Sequence, residues 1–197
     1  LFIEASRMME QALGREQVIH VHVSYLPLPP TVGEMKTKPV QYSVRTLNSY
    51  GIQPHFVVGR AREMMDEKRK KKIEQFCGVD LEHVISNPDA ESIYHVPLIL
   101  EDQDFAQKVL NDMGLKSKRN SKGLRKWKKL VSQIESATEE VNIALVGKYF
   151  KTGDYSLEDS YVSVIEAIKH AAWKNNVKPV LHWLDSEDFE KPQAVKK

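Results

Sequence analysis

The sequence predicts an α/β fold on a mostly parallel sheet, and three features carry that expectation. Val18–Leu26, Ile52–Val58 and Val84–Ser86 read as strands. Between them run apolar residues at helical spacing, and glycines 14, 51, 78 and 114 stand where the helical stripes end. The resulting βαβα order places helices against a parallel sheet.

In chain order, Phe2, Ile3, Ala5, Met8, Met9 and Ala12 form the first helical stripe, which fits either a core face or a contact surface. The strand Val18–Leu26 follows, and Pro27, Pro29 and Pro30 break its ladder and lead into a loop from Thr31 to Lys38. Pro39 suits the first turn of the next helix, where its missing N–H is no loss, and Val44, Leu47 and Tyr50 continue the period. After the strand Ile52–Val58 comes a charged helix, Asp66–Phe76, then the short strand Val84–Ser86 and a helix Asp104–Met113.

Residues 1–115 are expected to form one domain, 116–140 a linker and 141–197 the start of a second domain. Lys116–Gly123 lacks apolar periodicity and mixes Ser, Asn and Gly with its charges, which marks a connector. A linker helix, Leu124–Ile134, precedes a strand Val141–Val146, a helix of about Asp159–Asn175 and a strand Val177–Leu184, the βαβ opening of a second sheet.

The 197 residues, 41% hydrophobic and 28% charged, can bury a core and exclude a disordered or fibrous chain. Apolar runs such as Val141–Gly147 fall well short of the roughly 20 residues that span a bilayer, so no membrane partner is expected. A single cysteine, Cys77, forms no internal disulfide and favours a reducing, cytoplasmic setting; beside Gly78 and with no elbow glycine before it, it reads as a buried helix thiol. The opening Leu-Phe-Ile-Glu lacks an initiator Met and a basic leader, and suggests a truncated chain. Net charge is +2, yet Lys68–Lys72 is an unbroken basic run and Lys116–Lys129 carries no acid. Both runs read as solvated helix faces or charged linker rather than as a nucleic-acid surface, Trp127 notwithstanding. His20 and His22 share one strand face, but no third ligand has a recognisable spacing, so no metal site is expected there.

The segment Gly33-Glu34-Met35-Lys36-Thr37-Lys38-Pro39-Val40-Gln41 carries the chemistry. Two ammonium groups and a hydroxyl gather ahead of a helix start, whose free N–H groups and partial positive charge of about half an electron suit a polyanion. A triphosphate, with about four negative charges, can be held this way without a glycine-rich loop. A basic loop with a proline-started helix is the other reading.

The pattern Gly-Glu-x-Lys-Thr-Lys-Pro-x-Gln-x-Ser-Val resembles the UTP and CTP triphosphate loop of the CTP synthases. The resemblance continues through Phe2-Ile3-Glu4-Ala5, Gly51-Ile52-Gln53-Pro54, Phe76-Cys77, Val84-Ile85-Ser86 and Ser92-Ile93-Tyr94 with Pro97, and then through Val146-Gly147-Lys148-Tyr149 and Ser163-Val164-Ile165-Glu166-Ala167. It is weakest over Asp102–Glu140. It implies an internal stretch of such an enzyme: the C-terminal part of a P-loop-like synthetase domain, incomplete, followed by the first βαβ unit of a class I glutamine amidotransferase domain.

The family activity implied is ATP- and glutamine-dependent amination of UTP to CTP, with Mg2+ at the phosphoryl step and GTP as allosteric activator, in a homotetramer whose subunit contacts could include the Phe2–Gly14 stripe. The resemblance places UTP or CTP contacts at Lys36, Thr37, Lys38, Pro39, Val40, Gln41 and Lys72. It places ATP contacts at Arg60, Pro88, Asp89 and Ala90, with Pro88 where similar proteins often carry lysine, and GTP contacts at Lys148 and Tyr149, which equally suit a surface turn. No catalytic residue is assigned. The phosphate loop, the Mg2+ ligands and the glutaminase cysteine, histidine and glutamate are expected outside this chain, which should be inactive by itself. The alternative is an inactive nucleotide-sensing or filament-assembly module derived from the enzyme.

Overall fold

The computed structural model describes residues 1–116, 121–148, 151–152, 155–156 and 158–189. The chain forms two compact units, Leu1–Arg119 and Asn120–Lys197.

In the first unit, β1 (Val21–Tyr25), β2 (Phe56–Ala61) and β3 (Val84–Pro88) make a parallel sheet in the order β1-β2-β3. β2 is central and its residues alternate between two cores, as a pleated strand buried on both faces requires. Val57 and Ala61 face Val40 and Val44 of α2 (Lys38–Ser49) and Ile73 and Cys77 of α3 (Glu67–Cys77). Phe56 and Val58 pack with Leu100 of α4 (Val96–Glu101) and with Phe105 and Val109 of α5 (Phe105–Asp112). The unit is therefore a helix–sheet–helix sandwich, and α1 (Phe2–Leu13) joins it near β1 through Ser6 and Glu10, which both reach His20.

Local signals set several boundaries. Asp66 caps α3 by accepting a hydrogen bond from the Arg69 N–H, and Gly78 closes the helix in the left-handed conformation at φ 65°. Pairing in β1 begins only at Val21 and in β2 only at Phe56, because Val18–His20 and Ile52–His55 precede the ladder. Ile52 and Pro54 are nonetheless buried, so their apolar character serves the core rather than the sheet. The helix α4 was not anticipated by periodicity. The exposed stripe of α1, with Phe2 87%, Met8 58% and Met9 55% accessible, is a surface and not core.

In the second unit, β4 (Glu139–Gly147) pairs in parallel with β7 (Val177–Asp185), and α7 (Val162–Lys174) packs on β7. Two short strands, β5 (Lys151–Thr152) and β6 (Tyr155–Ser156), pair antiparallel. The helix α6 (Ser121–Ser136) starts within the stretch read as connector, so residues 121–123 are helical, and it contacts α7.

Candidate functional site

All three strands of the first unit run the same way, so their carboxyl ends share one edge. Open α/β sheets place ligands at that edge. There the chain leaving β1 makes a loop closed by a hydrogen bond from the Lys36 N–H to the Pro27 carbonyl, 2.9 Å, and anchored in the core by Leu26 and Met35. Burying Met35 turns its neighbours Glu34 and Lys36 outward, into a cavity of about 320 Å³ lined also by Thr37, Lys38, Arg69 and Lys72.

This cavity joins two segments that are distant in sequence. Thr37 stands at the start of α2, yet its hydroxyl accepts from the Gln41 side-chain amide at 3.1 Å and no side chain caps the helix. With no acid in the first turn of α2, the positive end of the helix adds to the lysines. Lys72 arrives from α3, and Arg69 one turn earlier on the same helix arrives with it. The basic run is therefore not uniformly solvated: the Arg69 side chain is 15% exposed, against 62% for Lys71. Arg69 was not singled out in the sequence, and its spacing of three from Lys72 was the available signal.

The remaining loop residues take other roles. Val40 is fully buried in the core, so its side chain faces no ligand, and neither Pro39 nor Gln41 lines the cavity. Glu34 is the one carboxylate in the cavity wall. Its hydrogen bond with Lys36, and the nearby charges of Lys36, Arg69 and Lys72, hold its carboxyl below the ordinary carboxylate range.

A second cluster lies where β2 and β3 end. Arg60 donates to the Asn87 carbonyl at 3.2 Å, to the Pro88 carbonyl at 3.0 Å and to Asp89 Oδ1 at 2.9 Å. The Asp89 N–H donates to the Ala61 carbonyl, so the turn that leads into Ala90 is tied to β2. The Asn87 side-chain oxygen beside it is buried and without a hydrogen-bond partner.

Elsewhere, Cys77 is buried and burial pushes its thiol up to about 11, which makes it a poor nucleophile. His20 pairs with Glu10 at 2.8 Å and His22 with Ser43. The described residues bring no three His, Cys, Asp or Glu side chains together. No helix among them is long and apolar enough to cross a membrane. In the second unit the Lys148 turn is clamped by Tyr161, whose hydroxyl accepts from the Lys148 N–H and donates to its carbonyl, while Tyr149 lies outside the described residues.

The first unit is thus a parallel α/β unit with a cationic cavity at the carboxyl edge of its sheet. The family is settled by comparison: the family model described as CTP synthase N-terminus matches residues 1–115, and the chain belongs to the CTP synthase family. It is 44% identical over 190 residues to the CTP synthase of Thermococcus gammatolerans, covering 96% of this chain and 34% of that protein. It is 42% identical over 189 residues to that of Acaryochloris marina, with 96% and 33% covered. The CTP synthase of Synechococcus sp. strain JA-3-3Ab is 43% identical over 196 residues, with 98% and 35% covered. The chain thus spans about a third of the length of these curated relatives.

Proposed function

We propose that this chain is the nucleotide-holding stretch of a CTP synthase, an enzyme that aminates UTP to CTP using ATP and glutamine. In this reading residues 1–115 are the later part of the synthetase domain, and residues from about 141 begin the glutaminase domain. The observation that carries it is the cavity that gathers Lys36, Lys38, Arg69 and Lys72 at the uncapped start of α2. Point charges on flexible stems, together with a helix end, match a triphosphate tail of UTP or CTP. Thr37 offers a hydroxyl, while Pro39, Val40 and Gln41 contribute through the backbone and by fixing Thr37.

Arg60 with residues 88–90 forms the adenine end of the ATP site, and the Lys148 turn is a contact for GTP. The phosphoryl step draws its Mg2+ ligands from residues other than those described. The exposed face of α1 supplies part of a subunit contact in a homotetramer. No step of the catalysis is assigned to a side chain of this chain, whose work is to bind and orient.

The test is a calorimetric titration of the 197-residue chain with UTP and CTP. Lys36→Ala and Lys38→Ala each remove a charge-assisted contact worth about 1.5–3 kcal/mol, so affinity for either nucleotide should fall at least about ten-fold. Equal affinity in the wild type and both variants would sink the reading. Mixed with ATP, UTP, Mg2+ and glutamine, the same chain should form no CTP.

A further inference from the structure

The carboxylate of Glu34 stands between two of the cations that line the cavity. Its Oε2 accepts from Lys36 Nζ at 3.2 Å and its Oε1 from Arg69 Nη2 at 2.5 Å. Arg69 is held from behind as well, where Nη1 donates to Asp66 Oδ2 at 2.6 Å while Asp66 caps the helix that carries Arg69. The two acids are not equivalent. Asp66 is fixed to the backbone of its own helix turn, whereas Glu34 sits on a loop, 41% exposed, and can return to water at little cost.

We propose that Glu34 and Arg69 form a charge-exchange latch, in which the Glu34 carboxylate occupies a phosphate position between Lys36 and Arg69 and is displaced from it by an incoming polyphosphate. The inference rests on the triphosphate reading of this cavity and deepens it. A single carboxylate presents one negative charge to a wall of four cationic side chains, and a triphosphate presents about four, so the exchange favours the ligand. The released guanidinium keeps its Asp66 contact and turns its planar fork to a phosphate, a geometry that a lysine cannot reproduce. Until then the latch shields Arg69 and keeps the empty cavity from attracting every small anion.

Titration of the full 197-residue chain with inorganic tripolyphosphate and with UTP, at low salt, tests this through Glu34→Gln, Arg69→Gln and the double variant. Removing the competing charge should tighten binding about three- to ten-fold, and removing the guanidinium should weaken it about ten-fold. The gain from Glu34→Gln should shrink by at least half in the Arg69→Gln background, because the exchange then has one partner fewer. A gain of equal size in both backgrounds means simple repulsion, and no gain or a loss means that Glu34 braces the cavity; either result overturns the latch. Glu34→Asp, too short to bridge both cations, should tighten binding as well and stands in if Glu34→Gln fails to fold by circular dichroism. Wild-type binding that Lys36→Ala abolishes, with no effect of Glu34 variants, removes the latch and leaves the triphosphate reading standing. No wild-type binding of either probe removes both.

Discussion

Gln103 and Ser86 hold each other by two hydrogen bonds: the Ser86 N–H donates to Gln103 Oε1 at 2.8 Å, and Gln103 Nε2 donates to the Ser86 carbonyl at 2.7 Å. The side-chain amide imitates the backbone of a neighbouring strand at β3, which among the described residues has β2 on one side only. Ser86 is fully buried and its hydroxyl accepts from the Met65 N–H, so the middle of β3 is fixed from two directions. Gln103→Ala leaves a buried N–H and a buried carbonyl without partners, each costing about 1–3 kcal/mol. Urea unfolding should show a loss of at least about 2 kcal/mol, and a loss below about 0.5 kcal/mol would mean that water replaces the amide.

Arg60 is tied to the carbonyls of Asn87 and Pro88 as well as to the Asp89 carboxylate, so its removal loosens the 87–89 turn rather than merely deleting a charge. On the proposed function, Arg60→Ala should therefore weaken ATP binding about ten-fold while leaving tripolyphosphate affinity within about two-fold, since the cationic cavity does not include it. Parallel titrations with the two ligands measure the separation. An equal loss for both would show that the two clusters form one site.

His22 is half-buried, and burial lowers its pKa from the ordinary value of 6.5; His55 is shifted the same way, chiefly by burial and then by Arg15. A histidine whose folded pKa lies below its unfolded value binds more protons when the chain is unfolded. Stability should thus be unaffected well above pH 6.5 and should fall as the pH drops through 6.5, levelling off below the folded pKa values. Denaturation midpoints between pH 8 and 5 give the curve, and His22→Gln should flatten it. A midpoint that rises on acidification contradicts the burial assignment.

Much of the fold was legible because the relevant signals are local. Asp66 and Gly78 mark α3 from both ends; β4 begins two residues earlier and ends one later than its sequence range, and β7 ends one later. The failures have a common cause, which is that position in space is not written in residue type. Ile52 and Pro54 look like strand residues because they are buried, but burial precedes pairing here. Val96–Glu101 is apolar almost throughout, so no periodicity separates a helix from a strand. Within the site, the loop cations could be read from their order along the chain. Arg69 could be told from its basic neighbours only by its spacing of three from Lys72, because the phase of α3 against the sheet decides which of the five cations line the cavity.

The burial of Cys77 has a practical consequence. It is the chain's one cysteine, placed in the first unit, whereas all three tryptophans, at positions 127, 173 and 183, fall in the second. A thiol reagent reaches Cys77 only when its surroundings open, so the rate of its modification reports opening in one unit. Indole fluorescence reports the other. The protein thus carries two native, non-overlapping probes, and the separate or joint melting of its halves can be recorded without adding a label or changing a residue.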